Sequence, residues 1–276
     1  MGLFKSYSTP GPGVDKTRPK KRGFFRFFEV YFRKFWKMFE LNLITALMCL
    51  PVVTIGPAIA GMTKVLRSYS MEKSIFMMHE FWKGFTQNWK QSLPVGLLNL
   101  LVTASVFLGL DIYPKLADEY NNNLFTVLAV ITVSVGCTLL MMNFYISLMI
   151  VATDLKLKDI LKNSFFLVCI DLKRSLLTLV ITLVLTAAMV VGILLNLMWI
   201  FLVPTLFLSF VGFIIVFNSY PVIQKHVIDP FYAARNQENP EHVDFTADDN
   251  SIFSDKLDLT DSAAPKTKGK QKKTIS

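Results

Sequence analysis

The sequence predicts an all-α, polytopic membrane helical bundle: three helical hairpins holding five to six transmembrane helices, between disordered ends. Three observations carry that prediction. Leu93–Leu110, Leu124–Thr153 and Ser175–Gln224 contain no charged residue. At ~1.5 Å per residue, the last run is long enough to cross a ~30 Å hydrocarbon core twice. The chain is 53% hydrophobic with 24 Phe, and its mean hydropathy is +0.45, far from a water-soluble globule. The net charge of +9 is concentrated before and between the apolar runs, where basic residues orient membrane proteins and meet anionic headgroups. It gives no reason to expect a nucleic-acid partner; the expected partner is the lipid bilayer.

Residues 1–22 read as a disordered, basic cytoplasmic leader ending in Arg18-Pro19-Lys20-Lys21-Arg22, without the apolar core of a signal peptide. An aromatic stretch follows. Phe24, Phe25, Phe28, Tyr31, Phe32, Phe35 and Phe39 recur at three- and four-residue steps, with Arg26, Glu29, Arg33, Lys34 and Lys37 on the other face. That pattern predicts an amphipathic helix at the membrane interface.

The next run, Leu41–Thr63, is uncharged and long enough to cross once, yet Pro51, Gly56 and Pro57 sit at its centre. Proline removes a backbone donor and clashes with the preceding turn, so one continuous helix is not expected. Charge bias decides between a crossing and a reversal. The residues before this run hold ten Lys/Arg against three acids, and Lys64–Lys90 holds five against two, so both read as cytoplasmic. The chain therefore turns back. A first limb rises to about Leu50, the turn runs through Pro51–Gly56, and a second limb descends to about Ser68. Thr54 is placed as its N-cap, and Pro57 lies in its first turn, where a missing N–H costs nothing. The limbs are short, so this hairpin is either spanning or re-entrant.

The second hairpin comprises Leu93–Leu110 and Leu124–Thr153, joined by the acidic, external segment Asp111–Asn123. Asp154–Arg174 is basic and internal again. The third hairpin occupies Ser175–Gln224, with an uncharged turn near Asn196–Trp199 and a kink expected at Pro204. Asn88-Trp89-Lys90-Gln91-Ser92-Leu93 and Asp171-Leu172-Lys173-Arg174-Ser175-Leu176 share the pattern Asn/Asp-x-Lys-x-Ser-Leu before an apolar run, which reads as an internal repeat. The bundle is thus expected over 23–228, followed by a disordered cytoplasmic tail over 229–276 with an acidic middle and a Lys-rich end. Both chain ends are expected inside.

No constellation of reactive groups is visible. His79-Glu80 opens like a zinc-protease helix, but Lys83 stands where the second His is needed. Cys49, Cys137 and Cys169 share no spacing and read as small apolar residues within helices. No catalytic, metal or cofactor-binding residue is expected, and no enzymatic activity. Among the polar residues within the runs (Asn42, Thr45, Asn99, Thr103, Ser134, Thr138, Asn143, Thr178, Thr182, Thr186, Asn196, Asn218 and Ser219), Asn143 is the best candidate for a bond between helices, because lipid cannot satisfy its amide. Phe81, Trp82, Lys83, Phe85, Asn88, Trp89 and Lys90 form a basic, aromatic segment suited to cytoplasmic docking, with Pro51, Thr54, Gly56 and Pro57 as the hairpin motif.

These residues resemble the YesL-like family of bacterial integral membrane proteins, a family of unknown function. The resemblance is carried by Leu41-Asn42-Leu43, by Cys49-Leu50-Pro51-Val52-Val53-Thr54-Ile55-Gly56-Pro57-Ala58, by Phe81-Trp82-Lys83-Gly84-Phe85 with Asn88-Trp89-Lys90-Gln91, and by Asn218-Ser219-Tyr220. It implies a multi-pass protein of the bacterial plasma membrane that works near carbohydrate uptake. Two functions fit the implication: a non-enzymatic accessory factor beside a carbohydrate ABC transporter permease, or a small permease or channel for a sugar-related solute.

Overall fold

A computed structural model describes residues 23–237 and 239; the leader and most of the acidic tail lie outside the described residues. The secondary structure is helical, with no strand among those residues. Helix α1 (Gly23–Arg33) is followed after one irregular residue, Lys34, by α2 (Phe35–Cys49). The amphipathic helix is present, but its buried stripe is rotated from the expected one. Phe27, Val30 and Tyr31 face inward, while Phe24, Phe25, Phe32 and Trp36 remain outside. The reason is the partner. Phe27 lies 5.0 Å from the ring of Phe213 and Tyr31 lies 5.2 Å from that of Phe210, so an aromatic face further along the chain selects the stripe.

The break falls where the prolines place it. Helix α2 ends at Cys49, Val52–Thr54 form one 3-10 turn, and α3 runs over Ile55–Ser70. The chain reverses here, because Lys34 at the start of α2 donates from Nζ to the carbonyl of Lys73, just past the end of α3 (2.8 Å). Helix α3 is buried on nearly every side and forms the centre of the bundle, packed by α2, α4, α5 and α8.

Helix α4 (Met77–Tyr120) has 44 residues and passes through Pro94 and Pro114 without ending. At 1.5 Å per residue it is about 66 Å long, roughly twice a hydrocarbon core. Asn121, with φ 45°, closes it in the left-handed conformation that asparagine tolerates. Asn122 then caps α5 (Asn123–Ala152) by accepting from Leu124 N–H at 3.0 Å. A short loop leads to α6 (Leu157–Ile170), and a break at Asp171 leads to α7 (Leu172–Leu195).

Asn196 accepts from Met198 N–H at 3.0 Å and starts a 3-10 segment, Leu197–Phe201. The kink expected at Pro204 takes the form of a π-helical segment, Val203–Phe207, before α8 (Leu208–Ile223). A second π-segment, Gln224–Ile228, leads into α9 (Asp229–Ala233). Ordered structure therefore runs past 228, where the tail was expected to begin. Asn239 returns to it, donating to the Asp229 carboxylate at 2.8 Å.

Four stretches are long and apolar enough to cross a membrane: Met77–Tyr120, Asn123–Ala152, Leu172–Leu195 and Leu197–Ala233. Helices α2 and α3, with 15 and 16 residues, fall short of that length, and they account for the gap between four and the expected six. Only 11% of the most apolar window in α4, and the same share in α5, is buried within the chain. So much apolar surface outside the core fits a lipid bilayer environment.

Candidate functional site

Some of the residues singled out in the sequence, Gly56, Pro57, Asn88 and Asn143 among them, lie along the junction of α3, α4 and α5. Gly56 and Gly96 touch: a Cβ on Gly96 would stand 2.8 Å from Gly56 Cα, and one on Gly56 would collide with the Ser92 carbonyl. One helical stretch away, a Cβ on Gly84 would stand 2.9 Å from Gly61 Cα. The two backbones therefore meet at two points where no side chain fits, as in the close crossings of small residues between membrane helices. Pro57, buried, occupies the third position of α3, where its absent N–H has no intrahelical partner to lose.

Thr54 does not cap α3. Its φ of −89° and ψ of −1° are not the extended conformation an N-cap requires. The hydroxyl turns back instead, 2.5 Å from the Met48 carbonyl in the last turn of α2 and 2.8 Å from that of Pro51, which also accepts from Thr54 N–H at 3.0 Å. Pro51 is exposed at the turn.

Asn143 makes the bond between helices expected of it. Its Oδ1 accepts from Asn99 Nδ2 at 2.8 Å, tying α5 to α4. Beside this pair a gap of about 20 Å³ is lined by Gly56, Ser92, Asn99 and Ser147, among others. Asn88 and Ser92 lie on the same face of α4. Asn88 donates to the Gly84 carbonyl at 2.9 Å, and Ser92 to that of Asn88 at 2.8 Å. Gln91 ties α4 to the loop after α5 through the Leu155 carbonyl at 3.0 Å.

The docking segment divides in two. Phe81 is fully buried against Gly61, and Asn88 is buried as well, so these two residues build the core and leave the docking face. Lys83 and Phe85 are half-buried. Trp82 (41% exposed), Trp89 (49%) and Lys90 remain on the outer face, where positions seven and eight residues apart coincide. The repeat motifs put equivalent serines inside: Ser92 beside Gly56, and Ser175 2.7 Å from the buried Tyr145 hydroxyl.

Two anchors stand out only in three dimensions. Asn42, fully buried in α2, donates to the Val203 carbonyl (3.0 Å) and accepts from Ser209 N–H (2.7 Å), at either end of the π-segment. A proline-distorted helix frees backbone groups, and the Asn42 amide takes up both a donor and an acceptor. The sequence signal was present, a lone Asn and a distant Pro204, but nothing linked them. Glu72, with φ 59°, is the second anchor. It accepts from Arg26 (3.0 Å) and Arg33 (2.8 Å), fastening α1 to the turn after α3. The Arg33 hydrogen bond, followed by that of Arg26, holds its carboxyl below the usual range despite partial burial. Nearby, Lys34 lies 4.3 Å from the Tyr69 ring centroid, and burial lowers its ammonium pKa. Burial, with the negative charge of Glu40, pushes the Tyr69 phenol up to about 12.

A family model described as "Protein of unknown function, DUF624" matches residues 38–112. The matched stretch holds most of α2, the Pro51–Pro57 turn, α3 and the glycine crossing with α4. No curated protein and no solved structure matches the chain. The similarity thus covers the short hairpin and the part of α4 that seats it, and it is to a family whose function is not assigned.

Proposed function

We propose that this chain is a non-enzymatic accessory or regulatory protein of the bacterial plasma membrane, docking on a carbohydrate ABC transporter permease through the outer face of the first half of α4. The observation that carries the reading is the division of labour along that helix. Its inner face is consumed by structure, in the glycine contacts and in the bonds of Asn88, Gln91, Ser92 and Asn99. Its outer face leaves Trp89 and Lys90 exposed, and beside them Trp82, whose ring edge rests on Phe81 and Phe85 while the rest of it stays open. Exposed tryptophans beside a cation are common anchors of protein interfaces. The carbohydrate element of the proposal rests on the YesL-like resemblance.

Pull-down of the full chain in mild detergent is expected to recover permease subunits, and Trp82→Ala with Trp89→Ala to reduce that recovery while the protein remains folded. Deletion is expected to slow uptake of the transported sugar. If recovery is unchanged by both substitutions and deletion leaves uptake intact, the proposal fails. The polar line of Ser92, Asn99, Asn143 and Ser147 favours a second reading, a small permease or channel. The gap beside it, about 20 Å³, has room for about one water. Solute flux through the purified chain in liposomes would select that reading instead.

A further inference from the structure

We propose that the groove between α2 and the α3–α4 connection binds one phospholipid whose headgroup carries a free amine, of the phosphatidylethanolamine class. The groove is open on one side, holds about 340 Å³, and is lined by Lys37, Glu40, Ile44, Ile75, Phe76, Met77 and Met78. That volume falls in the range of about 300–1,000 Å³ typical of small-ligand sites. Five of its seven lining residues are apolar, and Phe76 at its rim is 88% exposed, the ring held out of the core.

The charges select the occupant. Around this end of the bundle, Arg26 and Arg33 are engaged by Glu72, the Lys34 ammonium by the Lys73 carbonyl, and Glu80 by Lys64 at 3.7 Å. Lys37 and Glu40 make no ion pair among the described residues, although they stand three positions apart on one helix face. That spacing sets their Cβ atoms about 5–6 Å apart. Phosphoethanolamine carries its phosphate and its ammonium on adjacent ends of a two-carbon link, a matching pair of opposite charges. Lys37 receives the phosphate and Glu40 the ammonium.

The position along the chain agrees. Glu40 is the last charge before the uncharged run that begins at Leu41, so the pair stands at the polar boundary, with Ile44 one turn further into the apolar side. An acyl chain then runs along Ile44, Ile75 and Met78. A headgroup with phosphate but no amine satisfies Lys37 and leaves Glu40 facing a negative charge. The site therefore discriminates between lipids as well as binding them.

The test uses the full chain in mild detergent, exposed to equal amounts of phosphatidylethanolamine and phosphatidylglycerol, with bound lipid counted by native mass spectrometry. The expected result is a preference for phosphatidylethanolamine of about fivefold, the worth of one partly exposed ion pair. Glu40→Gln should abolish the preference. Lys37→Gln should lower retention of both lipids, and Ile44→Trp, which fills the groove, should do the same. Phosphatidylethanolamine with a photoreactive acyl chain should crosslink to peptides containing Ile75 or Met78, which needs no variant to fold. Equal retention of the two lipids by the unaltered chain overturns the proposal. So does a preference that survives Glu40→Gln, or crosslinking that maps elsewhere.

Discussion

At the scale of single residues, the informative side chains are amides that take the place of backbone partners. Asn42 and Asn143 are both asparagines within apolar runs, yet their situations differ. Asn143 shares one hydrogen bond with the partly buried Asn99, and losing it leaves another side-chain amide that can find a new partner. Bonds of that kind between membrane helices average about 0.6 kcal/mol and reach about 1.7. Asn42 is fully buried and satisfies a backbone carbonyl and a backbone N–H that cannot move away from the π-segment. Leaving a buried donor or acceptor unmade costs about 1–3 kcal/mol each. Asn42→Ala is therefore expected to destabilise the bundle by about 2–4 kcal/mol, the cost of two such groups after partial relaxation. Asn143→Ala should cost about 1 kcal/mol or less. Unfolding both variants in mixed micelles of increasing denaturing detergent measures the difference. Equal losses would mean that the π-segment relaxes without its anchor.

At the scale of elements, the short hairpin is seated on α4 by close backbone contact in addition to its buried side chains. Placing a methyl on Gly56 drives it into the Ser92 carbonyl, a backbone atom that moves only if α4 moves. Overpacking of this kind costs about 1–3 kcal/mol or more. Gly56→Ala and Gly96→Ala are each expected to lower the unfolding temperature in detergent by several degrees, whereas Gly23→Ala, with nothing within 4 Å, should leave it unchanged. Similar behaviour of all three would remove the crossing as a stabilising element. The reversal itself was legible in the sequence, because Pro51, Gly56 and Pro57 break a helix by local chemistry and the flanking lysines report sidedness. The crossing was not legible. Gly84 and Gly96 give no signal until the turn has brought α3 back onto α4, and Phe81 and Asn88 look like surface residues until Gly61 makes room for a ring. The face of α1 was misplaced for the same reason: Phe24 and Phe27 are equally apolar, and the aromatic face of Phe210, Phe213 and Phe217 on a distant helix decides between them.

At the scale of the molecule, the helices divide into a packed centre and a sparsely covered periphery. Helix α3 and the second half of α5 are enclosed by protein, whereas α4 beyond Gly96 is paired chiefly with α5. There Gly109 meets Thr132 and Gly136 meets Val106. That continuous α4 ties the side of its first residue to the side of its last. If it spans, the turn at Lys73 and the turn at Asn121 face opposite aqueous compartments, whatever the short hairpin does. The charges give the sign, basic at Lys64–Lys90 and acidic at Asp111–Glu119. A chain freed of its own thiols is needed, because Cys169 is exposed and Cys49 and Cys137 are half-buried. In intact cells, an impermeant maleimide is then expected to label Asn121→Cys and to reach Lys73→Cys only after the membrane is opened. Labelling of both from outside would mean that α4 does not span, and labelling of Lys73→Cys alone would put α2 and α3 across the bilayer as one segment, against the contact of Lys34 with Lys73. Labelling of neither would place the α4–α5 turn within the membrane, where Asp111, Asp118 and Glu119 would each carry the cost of a charge in hydrocarbon, about 2.5–3.5 kcal/mol on insertion scales. The outcome with only Asn121→Cys accessible is the one in which a 44-residue helix, its acidic end and its basic beginning all satisfy the same bilayer.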